Sequence, residues 1–253
     1  HQAQAQVLEL GIAYLSAHQL RAQEWAGRKQ ITGGIALPDW SGAYLLTTLT
    51  RHDPGRVQAL ELSTWRIWAP AIVGAWSSAQ DDHQQLRCDL TDLAPPEGLR
   101  HIISAAVDHL DALSEHDGAL PYSLYRHLLP GMASEVAARL AAGRYSGHVA
   151  LSLLNLLIAH APHAALPACQ RLRTSPVHDL ASAAKEGLAR LDPSTIVDEL
   201  DQAAAGPAEL ARVMPSLAVT ALSDSRLAVL ARIILRCFPY AQDQPLQTGP
   251  FPP

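Results

Sequence analysis

Apolar and polar residues recur along most of the chain with the period of an α-helix. Around residues 97–114, Ile103, Val107, Leu110 and Leu113 mark one face, while His101, Ser104, Asp108, Asp111 and Glu115 mark the other. Ile196, Leu200, Ala203 and Ala204 repeat the pattern, as do Leu227, Leu230, Ala231, Ile234 and Phe238. Residues 149–158 are apolar nearly all round, the signature of a helix packed on two sides. No alternating run bounded by hairpin-turn residues reads as a strand. The spacing predicts helices over 4–27, 39–51, 54–62, 70–79, 82–91, 97–114, 121–129, 132–142, 147–160, 163–173, 177–190, 194–204, 207–222 and 225–237. Pro121, Pro130, Pro162, Pro176, Pro193 and Pro207 fall between these segments, and Pro215 is expected to kink or split the one that contains it. Residues 31–38 read as a non-helical connection.

One breakpoint recurs. Leu49-Thr50-Arg51-His52-Asp53-Pro54 closes one apolar segment and opens the next, and Leu188-Ala189-Arg190-Leu191-Asp192-Pro193 repeats it with Leu, Arg, Asp and Pro in the same places. Leu157-Ile158-Ala159-His160-Ala161-Pro162 and Leu113-Ser114-Glu115-His116-Asp117-Gly118 are looser copies. The Asp suits an N-cap and the Pro a first helical turn. The breakpoints at 54, 118, 162 and 193 are 64, 44 and 31 residues apart, the spacing of helical hairpins stacked in a row. The expected fold is therefore all-α: stacked antiparallel helical hairpins, as a HEAT-like α-solenoid or right-handed superhelix.

All five tryptophans, Trp25, Trp40, Trp65, Trp68 and Trp76, precede residue 77, and the remainder is more regular and rich in Ala and Leu. That contrast divides the chain into residues 1–80, Trp-containing hairpins or a cap; residues 81–238, a repeat array; and residues 239–253, a Pro-rich tail or linker. Trp65 and Trp68, one turn apart, read as buried anchors of the first hairpins. Exposed interface hot spots are the competing reading.

Composition narrows the function classes. With 48% apolar and 17% charged residues the 253-residue chain can bury a sizeable core. A net charge of −5 gives no general attraction to nucleic acid or to anionic membrane. Only Lys29 and Lys185 are lysines among the 19 basic residues, and Asn155 is the one asparagine, a bias of GC-rich coding. Cys88, Cys169 and Cys237 are odd in number and widely spaced, which fits a reduced cytoplasmic location better than a disulfide framework. The longest apolar stretch, residues 149–159, is too short to span a bilayer. A first residue of His1 points to a fragment of a longer protein.

Chemical motifs are sparse. His52-Asp53, His116-Asp117 and His178-Asp179 are tested against HD-type phosphohydrolases, helical enzymes that hold metal through a His-Asp dyad. The first two fall on the breakpoint, where Asp has a capping role. His160 and His163 straddle a predicted helix break, and no HExxH occurs. Asp81-Asp82 resembles half of a terpene-synthase metal motif, without its third acid. It reads more simply as an acidic helix start. No phosphate loop and no Gly-x-Ser-x-Gly elbow is present. Arg139 with Arg144, and Arg171 with Arg173, are small basic spots that read as ordinary exposed arginines.

The breakpoint pattern over residues 40–237 resembles HEAT-like helical repeats. With its Arg-rich, Ala/Leu-rich style and His-Asp-Pro turns it looks like the C-terminal repeat region of bacterial NACHT or related STAND-type NTPases. The resemblance implies a sensor or scaffold region that binds a protein partner and restrains an NTPase, without catalysis of its own. It brings no catalytic, metal, cofactor or binding residue. No cofactor, nucleic acid or membrane is expected. The alternative is a small all-helical metal-dependent hydrolase using the His-Asp pairs.

Overall fold

A computed structural model describes residues 2–19, 37–74, 81–116 and 120–239. Among them there is no strand. The chain is all-α: α1 (Gln2–Ala17), α2 (Leu37–His52), α3 (Pro54–Gln58), α4 (Leu62–Gly74), α5 (Asp81–Leu93), α6 (Pro96–His116), α7 (Tyr122–Ala141), α8 (Gly147–His160), α9 (Pro162–Leu172), α10 (His178–Leu191), α11 (Pro193–Gln202), α12 (Pro207–Val213) and α13 (Asp224–Cys237). Two 3-10 turns, Met214–Ser216 and Val219–Ala221, separate the last two helices. None of these helices is long and apolar enough to cross a membrane. Two compact units divide at Ala168 and Cys169, within α9.

The recurring breakpoint is a recurring backbone structure. Asp53, Ala161 and Asp192 adopt φ/ψ of −150/68, −143/60 and −145/70. Each donates its N–H to the carbonyl four residues back, on Leu49, Leu157 and Leu188, at 2.8, 2.8 and 2.7 Å. Each precedes a proline, whose ring disfavours the helical conformation in the residue before it. The next helix then starts on that proline, which needs no N–H partner there. Phe238, before Pro239, forms a fourth copy: φ/ψ of −125/68, with its N–H on the Ile234 carbonyl at 2.8 Å. The sequence reading missed this copy because Phe stands where the others have Asp or Ala. Asp53 and Asp192 also cap, accepting from the N–H of Arg56 and of Thr195, each at 3.3 Å. Gly118 and Asp117 lie outside the described residues.

Proline inside a helix corrects several expected boundaries. The predicted segments 121–129 and 132–142 form one helix, α7, with Pro130 inside it. Pro130 deprives the Arg126 carbonyl of its helical donor. Both residues are exposed, so water can take that carbonyl. Pro70 likewise lies within α4, which begins at Leu62 and not at residue 70. Pro215 does split its segment, and α12 stops at Val213. α3 ends at Gln58, short of residue 62. α1 ends at Ala17, where His18 leaves the helix and turns its ring to Asp39; residues 20–27 lie outside the described residues.

In the first unit several helices pack on their second neighbours, while α2 packs also on α5 and α1 on α4. α2 packs on α4, α4 on α6 and α6 on α8; α3 packs on α5 and α5 on α7. The α4–α6 interface is the most extensive. α8 lies against both α6 and α7, as its apolar circumference requires. In the second unit α10 packs on α12, and α11 on both α10 and α13.

Trp65 and Trp68 are both buried, each 1% exposed. The Trp68 indole N–H donates to the Leu15 carbonyl at 2.8 Å, and its rings lie beside those of Tyr14 and His18. The buried Asp39 carboxylate in the first turn of α2 meets His18 Nε2 at 2.7 Å. That turn carries the positive end of the helix dipole. These contacts bind α1, α2 and α4. Gly42 has no room for a side chain, because a Cβ there would enter the Trp68 ring. Trp25 and Trp76 lie outside the described residues.

Three predictions test this packing by chemical denaturation. Asp53→Ala and Asp192→Ala should each lower stability by about 0.5–2 kcal/mol through loss of the cap. Trp68→Ala should cost about 3–5 kcal/mol. Gly42→Ala should cost more than either cap, although it adds a single methyl, because the indole has nowhere to move. A neutral Gly42→Ala would show that α2 and α4 are not in this contact.

Candidate functional site

The His-Asp pairs suspected from the sequence do not converge among the described residues. His52 is exposed beside the capping Asp53. His178 and Asp179 are both exposed, and their side chains approach to 3.5 Å at the start of α10. Asp117 lies outside the described residues. His160 Nε2 meets the Tyr122 hydroxyl at 3.1 Å, while His163 is exposed on the first turn of α9. No group of three or more His, Cys, Asp or Glu side chains among the described residues could hold a metal ion. One arginine of each basic spot is engaged, whereas Arg144 and Arg171 are exposed. Arg139 binds Asp111 and Glu135 at 2.8 and 2.7 Å, and Arg173 is paired with Glu199.

Two other arrangements emerge. The first is a polar network inside the first unit. Arg87, on α5, is 2% exposed and donates from Nη1 to the Val73 carbonyl at 2.9 Å. That carbonyl belongs to the last turn of α4, the negative end of its dipole. The Arg87 Nε has no partner. Burial lowers the guanidinium to about 10, leaving it charged near neutrality. Tyr125, on α7, is fully buried and donates its hydroxyl proton to the Ala106 carbonyl at 2.9 Å. Its oxygen therefore accepts from His109 Nδ1, also at 2.9 Å, which assigns the proton on that ring to Nδ1. Burial, and then the charge of Arg87, lower His109 to about 4, so it is neutral at physiological pH. Burial also pushes the Tyr125 phenol upward. Phenol and imidazole are enclosed and engaged with each other. Arg87 thus ties α5 to α4, and Tyr125 ties α7 to α6; neither presents a reacting group.

The second is a groove of about 400 Å³ in the second unit, between α10, α11 and α12. Ile196, Leu200 and Val213 form its base, with Ala203 at its edge. Lys185, Glu199 and Glu209 supply its charges. Glu199 is held by Arg173. Glu209 is held loosely: Lys185 Nζ stands at 3.5 Å and Arg212 at 3.8 Å. Among the described residues neither Lys185 nor Glu209 makes a side-chain hydrogen bond, so donor and acceptor stand open side by side over an apolar base.

No protein-family model, curated protein or solved structure matches this chain.

Sequence reading passed over both arrangements. Leu86 and Leu90 set the buried face of α5, and Arg87 and Thr91 stand one position on from each, a pattern that placed a cation at the edge of the core. Lys185 stood out only as one of two lysines.

The network makes a pH prediction. The folded state depresses His109 from an ordinary value of 6.5 to about 4, so the unfolded chain takes up the proton first. This stabilisation is complete above pH 6.5, is lost as pH falls toward 4, and changes no further below that. The loss amounts to about 3 kcal/mol. Denaturation of the native chain and of His109→Gln at a series of pH values should show the stability difference between them shrinking across that window. A pH-independent difference would place His109 outside the core.

Proposed function

We propose that this chain is a protein-interaction region built of HEAT-like stacked antiparallel hairpins, acting as a scaffold or sensor. In this proposal the chain belongs to a larger bacterial STAND-type signalling or defence NTPase of the NACHT kind, works in the cytoplasm, and is not catalytic itself. The observation that carries the proposal is second-neighbour packing. The series α2, α4, α6, α8 and the series α3, α5, α7 are what two rows of helices from stacked hairpins would produce. The repeated pre-proline junction supports it, because the same local stop-and-restart is used at Asp53, Ala161 and Asp192. Each row of such an array leaves a surface suited to elongated partners. Nothing among the described residues favours the hydrolase reading: His52 and His178 are exposed, and no three metal-ligating side chains come together.

The test is reconstitution. A protein co-purified with the tagged native gene product should form a stoichiometric complex with this purified chain, measured by light scattering coupled to size-exclusion chromatography. The complex should form equally well with EDTA present. Metal-dependent phosphoester hydrolysis by the purified chain, abolished by His52→Ala or His178→Ala, would overturn the reading in favour of the enzyme.

A further inference from the structure

We propose that the groove between α10, α11 and α12 receives a neutral, extended peptide segment of a protein partner, through one aliphatic side chain and the backbone N–H and carbonyl of one residue beside it. This inference rests on the interaction reading above and assigns it a place.

The groove offers a donor and an acceptor side by side at its rim. Lys185 and Glu209 face each other at 3.5 Å without a hydrogen bond between them. Lys185 therefore has ammonium protons to donate, and Glu209 has lone pairs to fill. Their side chains are 34% and 39% exposed, so an incoming group can reach both. A net charge on the ligand is opposed from either direction. A carboxylate would gain Lys185 but face Glu209 and Glu199. A cation would gain Glu209 but face Lys185 and Arg212. The backbone of one extended residue avoids both conflicts. Its carbonyl accepts from Lys185, its N–H, which points to the same side, donates to Glu209, and it adds no charge. The aliphatic side chain beside them would lie on Ile196, Leu200 and Val213, where it displaces water from apolar surface. A volume of about 400 Å³ accommodates such a side chain with its flanking backbone. The second unit supplies every group required.

The experiment uses the full chain, labelled with nitrogen-15, and a capped pentapeptide with leucine between serines. Saturable amide shifts are expected at residues 185, 196–203 and 209–213. Replacing the leucine by glycine should weaken binding about fivefold or more, and replacing it by aspartate should do at least as much. Lys185→Met and Glu209→Gln should each weaken binding by a similar factor. Both side chains are partly exposed, so the melting temperature of each variant confirms that it remains folded. Equal binding of the leucine and glycine peptides, absence of saturation, or shifts at these residues caused by concentrating the protein alone would overturn the groove as a peptide site; the last would assign it to a second copy of the chain. The two readings separate in the reconstituted complex. If Lys185→Met/Glu209→Gln forms that complex with unchanged affinity, the groove is excluded and the interaction function stands. Failure of every partner complex, with leucine-peptide binding intact, would remove the broader function and leave the groove.

Discussion

A residue that precedes proline is pressed out of the right-handed helical region by the proline ring. Much of this architecture follows from that clash. At Asp53, Ala161, Asp192 and Phe238 the chain completes a helix, closes it with one last i to i−4 bond, and turns at nearly the same φ/ψ. At the first three, proline then becomes the first residue of the next helix. One steric rule thus yields the same corner between helices of different sequence. Two of these corners add an aspartate cap, and the third manages without one. The turn at these corners therefore does not need the cap, which adds stability to it; proline by itself is not sufficient, since Ala69, Leu129 and Leu166 stay helical before theirs.

Corners alone do not determine which helices meet. In the first unit that choice is made by large, enclosed side chains with a polar atom to satisfy. Trp68 spans from α4 to the end of α1 through its indole N–H, and α2 comes close because Gly42 presents no side chain to the ring. Tyr125 reaches from α7 to the Ala106 carbonyl on α6 while holding His109. Arg87 joins α5 to the last turn of α4. A polar group buried without its partner costs free energy, so each bond selects one arrangement of helices over its alternatives. Not every group is served: the Trp65 indole N–H, Thr64 Oγ1 and Arg87 Nε have no partner. Trp68 is pinned by a bond, whereas Trp65 is held by packing alone.

The second unit uses charge differently. Four of its arginines pair with acids of neighbouring segments: Arg173 with Glu199, Arg226 with Asp198, and Arg232 and Arg236 with Asp201. The Lys185–Glu209 contact likewise brings opposite charges together, and it does so at the border of an apolar groove.

How much of this the sequence determined depends on the range of the interaction concerned. The helical class, the corners at Asp53, Ala161 and Asp192, both aspartate caps and the break at Pro215 were legible because each arises within about four residues along the chain. Burial of Trp65 and Trp68 was legible from their size and their one-turn spacing. The fourth corner escaped because attention to the aspartate hid the more general pre-proline rule. Tertiary structure decided the rest. Pro130 and Pro70 read as helix ends, yet both helices continue through them, since packing along each helix outweighs one lost backbone bond. His109 shares the buried face of Ile102, Ala106 and Leu113, but its partner, Tyr125, is brought to it only by the packing of α7. Lys185 and Glu209 are 24 residues apart on separate helices. Their contact, and the groove it borders, exist only once α10, α11 and α12 have packed, and no local pattern encodes where a neighbouring helix will stand.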